Sequence, residues 1–169
     1  MKIAIGADHG GYKLKSKLIK YLERHGHVIA DLGTHSVQSC DYPAIGYKVA
    51  SSVSLGVFPR GILICKTGIG FSMVANKLPG VRAGLCMTIQ QARRSREHNN
   101  ANVLCLAGSY LSLKKAQAIV KVWLKTEFAG GRHARRVRQI TNIERRIYQD
   151  KNVKFKNKNS KPKRKIQNQ

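Results

Sequence analysis

Short apolar runs of strand length alternate with stretches of helical periodicity along most of this 169-residue chain, and few folds satisfy that alternation. The strand-like runs are KIAIGAD (Lys2–Asp8), HVIADLG (His27–Gly33), GILIC (Gly61–Cys65), VRAGLC (Val81–Cys86) and NVLCLAG (Asn102–Gly108). Between the first two, Leu14, Leu18 and Leu22 recur every fourth residue, and Gly26 stops the pattern. Asp41 and Pro43 open a second helical segment whose apolar face is Ile45, Val49 and Val53. A helix follows the glycine-rich turn after Cys65, and TIQQARRSREHN and SLKKAQAIVKVWLKTEF read as two more. A last helix is expected from about Arg135 to Tyr148. The pattern predicts an α/β protein with a five-stranded parallel sheet and helices on both faces. Ligands of such sheets bind outside the carboxyl ends of the strands. The segments ADHGG after the first strand, CKTGIG after the third and EHNNAN before the fifth are therefore expected to gather at one edge.

Charge separates the chain into a body and a tail. Lys and Arg number 32 against 8 Asp and Glu, a net charge of +24. From Arg145 onward ten basic residues face the single acid Asp150, and the remainder is still basic, 22 against 7. Residues 149–169 lack apolar periodicity and are expected to be disordered, which leaves residues 1–148 as the folded domain. No apolar run approaches 18 residues and the amino terminus lacks a secretory pattern, so a cytoplasmic protein without a membrane span is expected. Cys40, Cys65, Cys86 and Cys105 form no C-x-x-C pair or zinc-like spacing and are expected to be reduced.

Cys65 ends the third strand and leads into a turn with Gly68 and Gly70. A lone cysteine in an apolar strand ordinarily packs as a small hydrophobe. Here the glycines let backbone amides turn toward an anion, and the helix start behind them adds partial positive charge. The same field favours a thiolate, which places a proton acceptor beside a cradle for negative charge. A dinucleotide fingerprint is excluded: Met73 stands where a third glycine belongs, and Cys86 rather than an acid closes the next strand. In DHGG, Asp8 and His9 end the first strand, where turn chemistry alone explains them equally well. His98 and Asn99 in REHNN read as a polar helix end when taken alone. Arg132 and Arg136, four apart in GGRHARRVR, can clamp a phosphate, although a solvated basic face has the same spacing.

Taken in order, GADHGGYKLK, DYP, GILICKTGIGFSMVANK, REHNNANVL and GGRHARRV resemble the type B ribose-5-phosphate isomerases, which are related to the galactose-6-phosphate isomerase subunits. The resemblance runs from about Lys2 to Ile147. It implies a Rossmann-like fold and an aldose–ketose isomerase of the pentose phosphate pathway that needs no metal or cofactor. It also implies homodimers or higher homo-oligomers whose active sites draw on both subunits. By that resemblance Cys65 moves the proton between carbons 2 and 1 of the sugar. The turn of Lys66, Thr67, Gly68, Ile69 and Gly70 supplies amides to the enediolate, with Thr67 assisting proton movement between its oxygens. His98 opens the sugar ring aided by Asp8, Asn99 and Tyr42 contact the sugar, and His9, Arg132 and Arg136 hold the phosphate. Two positions depart from the family. Lys66 stands where glycine is usual, which either alters the oxyanion site or leaves the lysine pointing to solvent. LAGSYLS has no arginine near Ser109, so that either phosphate affinity is weaker or Lys114 substitutes. A six-carbon substrate such as galactose 6-phosphate or allose 6-phosphate is the alternative within the family. The alternative of another class is a nucleic-acid-binding protein, with non-specific contact through the basic tail. The chain carries no recognition motif for that role, and its aromatic fraction is only 7%.

Overall fold

The structure is a computed structural model describing residues 1–159, with side chains to residue 149. Five parallel strands, β1 (Lys2–Ala7), β2 (Val28–Asp31), β3 (Arg60–Cys65), β4 (Ala83–Leu85) and β5 (Val103–Ala107), form one sheet in the order β2-β1-β3-β5-β4. Helices α1 (Tyr12–Arg24), α2 (Tyr42–Ser54), α3 (Ile69–Ala75), α4 (Ile89–Asn99) and α5 (Leu113–Lys125) link and follow the strands, and α6 (Gly131–Asn159) closes the described chain.

Alternation along the strands builds two cores. Ile3, Ile5, Ile62, Ile64, Leu104 and Leu106 meet Leu14, Leu18 and Leu22 of α1 and Ile119 and Trp123 of α5 on one face. Ala4, Leu63, Cys65, Val103 and Cys105 meet Val49 and Val53 of α2 and Phe71 of α3 on the other. The strands are thus apolar on both sides, which is why they read as continuous runs rather than alternating ones.

Strand order reverses between β1 and β3, where the chain first winds outward to β2 and then returns across β1 to β3. Their carboxyl ends lie side by side, with Ala7 opposite Ile64. The connections diverge there and open a crevice. The crevice is tightly built beneath. The amide of Asp8 donates to the Ile64 carbonyl at 3.2 Å. A Cβ on Gly11 would fall 2.0 Å from that same carbonyl oxygen. Gly11→Ala therefore forces β1 and β3 apart, and overpacking against backbone costs about 2–3 kcal/mol. A lowered urea midpoint with unchanged slope checks this.

The fully buried ammonium of Lys15 is held by the Asp31 carboxylate and, at 3.1 Å, by the Gly33 carbonyl. This pair ties α1 to the end of β2 and fixes the start of the loop that leads to Tyr42.

Helix α6 departs from expectation. It continues past Tyr148 to Asn159. No glycine or proline stands between Arg132 and Ser160, and the lysines, arginines and glutamine there are fair helix formers, so the backbone continues after the apolar face gives out. The rest of the expected tail, residues 160–169, lies outside the described residues.

Candidate active site

Cys65 is the last residue of β3, with its side chain on the α2–α3 face. It retains 5% exposure, whereas Cys105 is fully enclosed and Cys86 nearly so. Burial pushes the Cys86 and Cys105 thiols upward from the usual range and leaves them as packing groups. At Cys65 the Gly68 amide donates to the sulfur at 3.0 Å. A donor aimed at the sulfur stabilises negative charge there. Gly68 takes a left-handed conformation, φ +75°, to turn that amide back, and a Cβ there would also strike Leu85 at 2.4 Å.

The rest of the turn is only partly available to a ligand. The Ile69 amide donates to the Thr67 hydroxyl at 3.3 Å. The Tyr42 ring lies over Gly70, with its phenol oxygen 3.1 Å from the place of a Cβ, and packs edge-on against Phe71 at 5.8 Å. Lys66 has an ordinary backbone conformation; among the described residues Asn100 alone combines a side chain with positive φ. A lysine therefore occupies the family's usual glycine position without strain. Its carbonyl accepts from the Ser109 amide at 3.1 Å, and the Cys65 carbonyl accepts from Gly108 at 2.7 Å, which joins the rims of β3 and β5.

Across the crevice Asp8 is buried, and one carboxylate oxygen accepts from the Gly11 amide at 3.0 Å. The turn role expected of it is real, and it occupies only part of the carboxylate. His9 Nδ1 accepts from the Cys40 amide at 3.3 Å, which leaves Nε2 to carry the ring proton. Asp8, His9, Tyr42 and the run Cys65–Gly70 are thus gathered at the carboxyl edge.

His98, Asn99, Arg132 and Arg136 are not gathered with them. EHNNAN precedes β5, so it lies where that strand begins. Helix α4 starts at the carboxyl edge with the Thr88 cap and runs antiparallel to the strands, so His98 and Asn99 arrive at the amino edge. Arg82, just before β4, confirms the place by donating to the carbonyls of Asn99 and Asn100 at 3.1 and 3.0 Å. The expectation that this segment shares an edge with Cys65 in one chain is corrected accordingly.

At that second edge the His98 ring stacks on His133, with centroids 4.2 Å apart and planes within 3°. Arg94 approaches His98 Nε2 at 3.1 Å. Desolvation of the stacked ring, together with the charges on His98, Arg132, Arg136 and Arg94, holds His133 below the usual histidine range. So many cations around one imidazole make a half-site suited to an anion. His133 lies beside Arg132 in the sequence, whereas Arg94 was not singled out; the spacing of Arg94 and His98, four apart on a helix, was the available signal. Behind them Arg96 is buried against Trp123 and donates to the Ala101 carbonyl at 2.6 Å, with burial lowering its guanidinium to about 10. A cleft of about 630 Å³ opens here too, between α6 and β4, lined by Arg82, Ala83, Asn99, Ile140, Ile143 and Ile147.

Fold and site define an open parallel α/β protein with a cysteine and main-chain donors at its switch point and a separate basic, histidine-bearing half-site. The sequence profile of the ribose/galactose isomerases matches residues 3–140. Ribose-5-phosphate isomerase B of Escherichia coli is 43% identical over 145 residues, covering 86% of this chain and 97% of that protein. The solved structure of Clostridium thermocellum ribose-5-phosphate isomerase B is 51% identical, with a TM-score of 0.85 over 87% of this chain and 99% of that one. Ribose-5-phosphate isomerase B of Mycoplasma genitalium, solved with bound ribulose-5-phosphate, is 38% identical, with a TM-score of 0.83 over 85% and 96%. The chain belongs to the ribose/galactose isomerase family.

Proposed function

We propose that the chain interconverts ribose 5-phosphate and ribulose 5-phosphate through an enediolate. The observation that carries this reading is Cys65, a residue 5% exposed at the switch point, whose sulfur receives the Gly68 amide. Cys65 takes the proton from carbon 2 of the open-chain aldose, and the electron pair moves onto the carbonyl oxygen. The proton returns to carbon 1, while Thr67 assists transfer between the two oxygens. Free amides of the Lys66–Gly70 turn stabilise the oxyanion as it forms, a term typically worth about 3–4 kcal/mol for one preorganised donor. Asn99 and Tyr42 orient the sugar, and His9, Arg132 and Arg136 hold its phosphate, so that binding energy remote from the reaction fixes the reacting carbons.

One chain holds the two half-sites at opposite edges of its sheet, so a working site needs two chains. The reading therefore includes a homodimer in which His98, Asn99, Arg132 and Arg136 of one copy face Cys65 of the other. Half-exposed Ile140, Ile143 and Ile147 on α6, and Ile69 and Met73 on α3, supply apolar surface for such an association.

His98 opens the furanose ring, assisted by Asp8. His98→Asn is then expected to lose about a hundredfold or more in kcat on cyclic ribose 5-phosphate and far less on a substrate that cannot cyclise. Equal losses on both give His98 another task. A coupled isomerase assay across pentose and hexose phosphates tests the proposal as a whole. Turnover of ribose 5-phosphate supports it, and turnover of six-carbon phosphates alone replaces its substrate.

A further inference from the structure

Lys66 is the chain's departure from the family's usual glycine, and its side chain does not simply trail into solvent. Its stem lies across the turn after β1. A Cβ on Gly10 would meet Lys66 Cγ at 2.4 Å and Cε at 3.3 Å, and the Asp8 carboxylate lies 3.3 Å from the same point. The residue as a whole remains exposed. Its main chain is fixed through the Ser109 amide, so the stem starts from a rigid rim.

Among the described residues the Lys66 ammonium forms no ion pair within 4.0 Å and no side-chain hydrogen bond. It stands at the mouth of the crevice as a cation with its donors unspent. The acidic groups nearby, Asp8 and Cys65, belong to the reacting end of the proposed site. Cys65 points to the α2–α3 face, whereas the Lys66 stem lies against Gly10, the residue that follows His9. The other cations assigned to the phosphate, Arg132 and Arg136, lie at the opposite edge of the chain. Within one chain, Lys66 is therefore a cation on the same carboxyl rim as His9, a rim that Lys114 at the start of α5 also occupies.

We infer that the Lys66 ammonium is a further substrate-binding group, which joins His9 in holding the phosphate of a sugar phosphate at the carboxyl edge. The inference deepens the isomerase reading and rests on it for the identity of the substrate, but not for the anion contact itself. A lysine serves here as a compact, strongly hydrated point charge on a flexible stem, suited to a dianion that approaches from solvent.

Calorimetry with inorganic phosphate on the full chain tests the contact without any turnover. Lys66→Gln is expected to weaken phosphate binding about tenfold, the usual scale of one charge-assisted hydrogen bond, and Lys66→Arg to restore most of it. Steady-state kinetics with ribose 5-phosphate then show a KM raised by a similar factor in Lys66→Gln while kcat changes little. Phosphate affinity within twofold of the parent in Lys66→Gln, no phosphate binding by the parent itself, or a fall in kcat at constant KM overturns the inference. Phosphate held through Lys66 in a chain that does not convert ribose 5-phosphate sinks the isomerase reading and leaves this contact standing. Normal turnover with unaltered phosphate affinity does the reverse.

Discussion

Cys65→Ala is expected to abolish most turnover while the protein stays folded and still binds sugar phosphate. A positioned base contributes roughly 100- to 10,000-fold, so kcat falls by about that factor. KM is expected to change little, because the proposed phosphate contacts lie elsewhere. Cys65→Ser behaves similarly: a hydroxyl at this place keeps the Gly68 hydrogen bond but is a far weaker acid than a thiol, so little of it is ionised near neutral pH. Steady-state assays on both variants, with circular dichroism as the control for folding, read the result. Near-normal activity in the alanine variant removes Cys65 from the chemistry and returns it to the role of a small core residue, which its position in the α2–α3 core would otherwise permit.

A second large effect follows from the two edges of the sheet. In the proposed homodimer, Cys65→Ala and His98→Asn are each expected to disable every site. Co-expression with different tags allows the mixed dimer to be isolated. One of its sites then combines both lesions, and the other combines an intact Cys65 from one copy with an intact His98 from its partner. By two-fold symmetry the mixed dimer recovers about half of the activity of the unaltered dimer. If both half-sites served the same reaction centre within one chain, every site would carry a lesion and no activity would return. The readout is a gain from near zero, so partial misfolding of either variant cannot imitate it.

The fold was legible because the sheet is buried on both faces. Ile3, Ile5, Ile62, Ile64, Leu104 and Leu106 sit in unbroken apolar runs, and the leucines of α1 mark its buried stripe. The crevice followed from the same pattern, since Asp8 and Cys65 end neighbouring strands on either side of the reversal in strand order. The placement of His98 did not follow. A segment that precedes a parallel strand lies at the opposite edge from one that follows it, and the motif's chemistry obscured that simple direction rule. The end of α6 was missed for another reason. The sequence reading stopped the helix where its apolar face ended, whereas backbone hydrogen bonds continue until a residue breaks them, and none does before Asn159. The bond from Gly68 to the Cys65 sulfur was visible only in part. Two glycines announced a turn, but which amide faces the sulfur depends on a left-handed φ at Gly68 that composition alone does not specify. Likewise, the ordinary backbone of Lys66 settles in three dimensions a conflict that the family's preference for glycine had raised.

A crystal structure of the dimer with a stable analogue of the enediolate bears most directly on the assignment of Cys65. The sulfur is expected within about 3.5 Å of the carbons that correspond to carbons 1 and 2, a reactive contact distance, with His98 of the second copy at the ring-oxygen end. An analogue seated at another part of the surface, or one whose carbons stay screened from the sulfur by packed side chains, contradicts it.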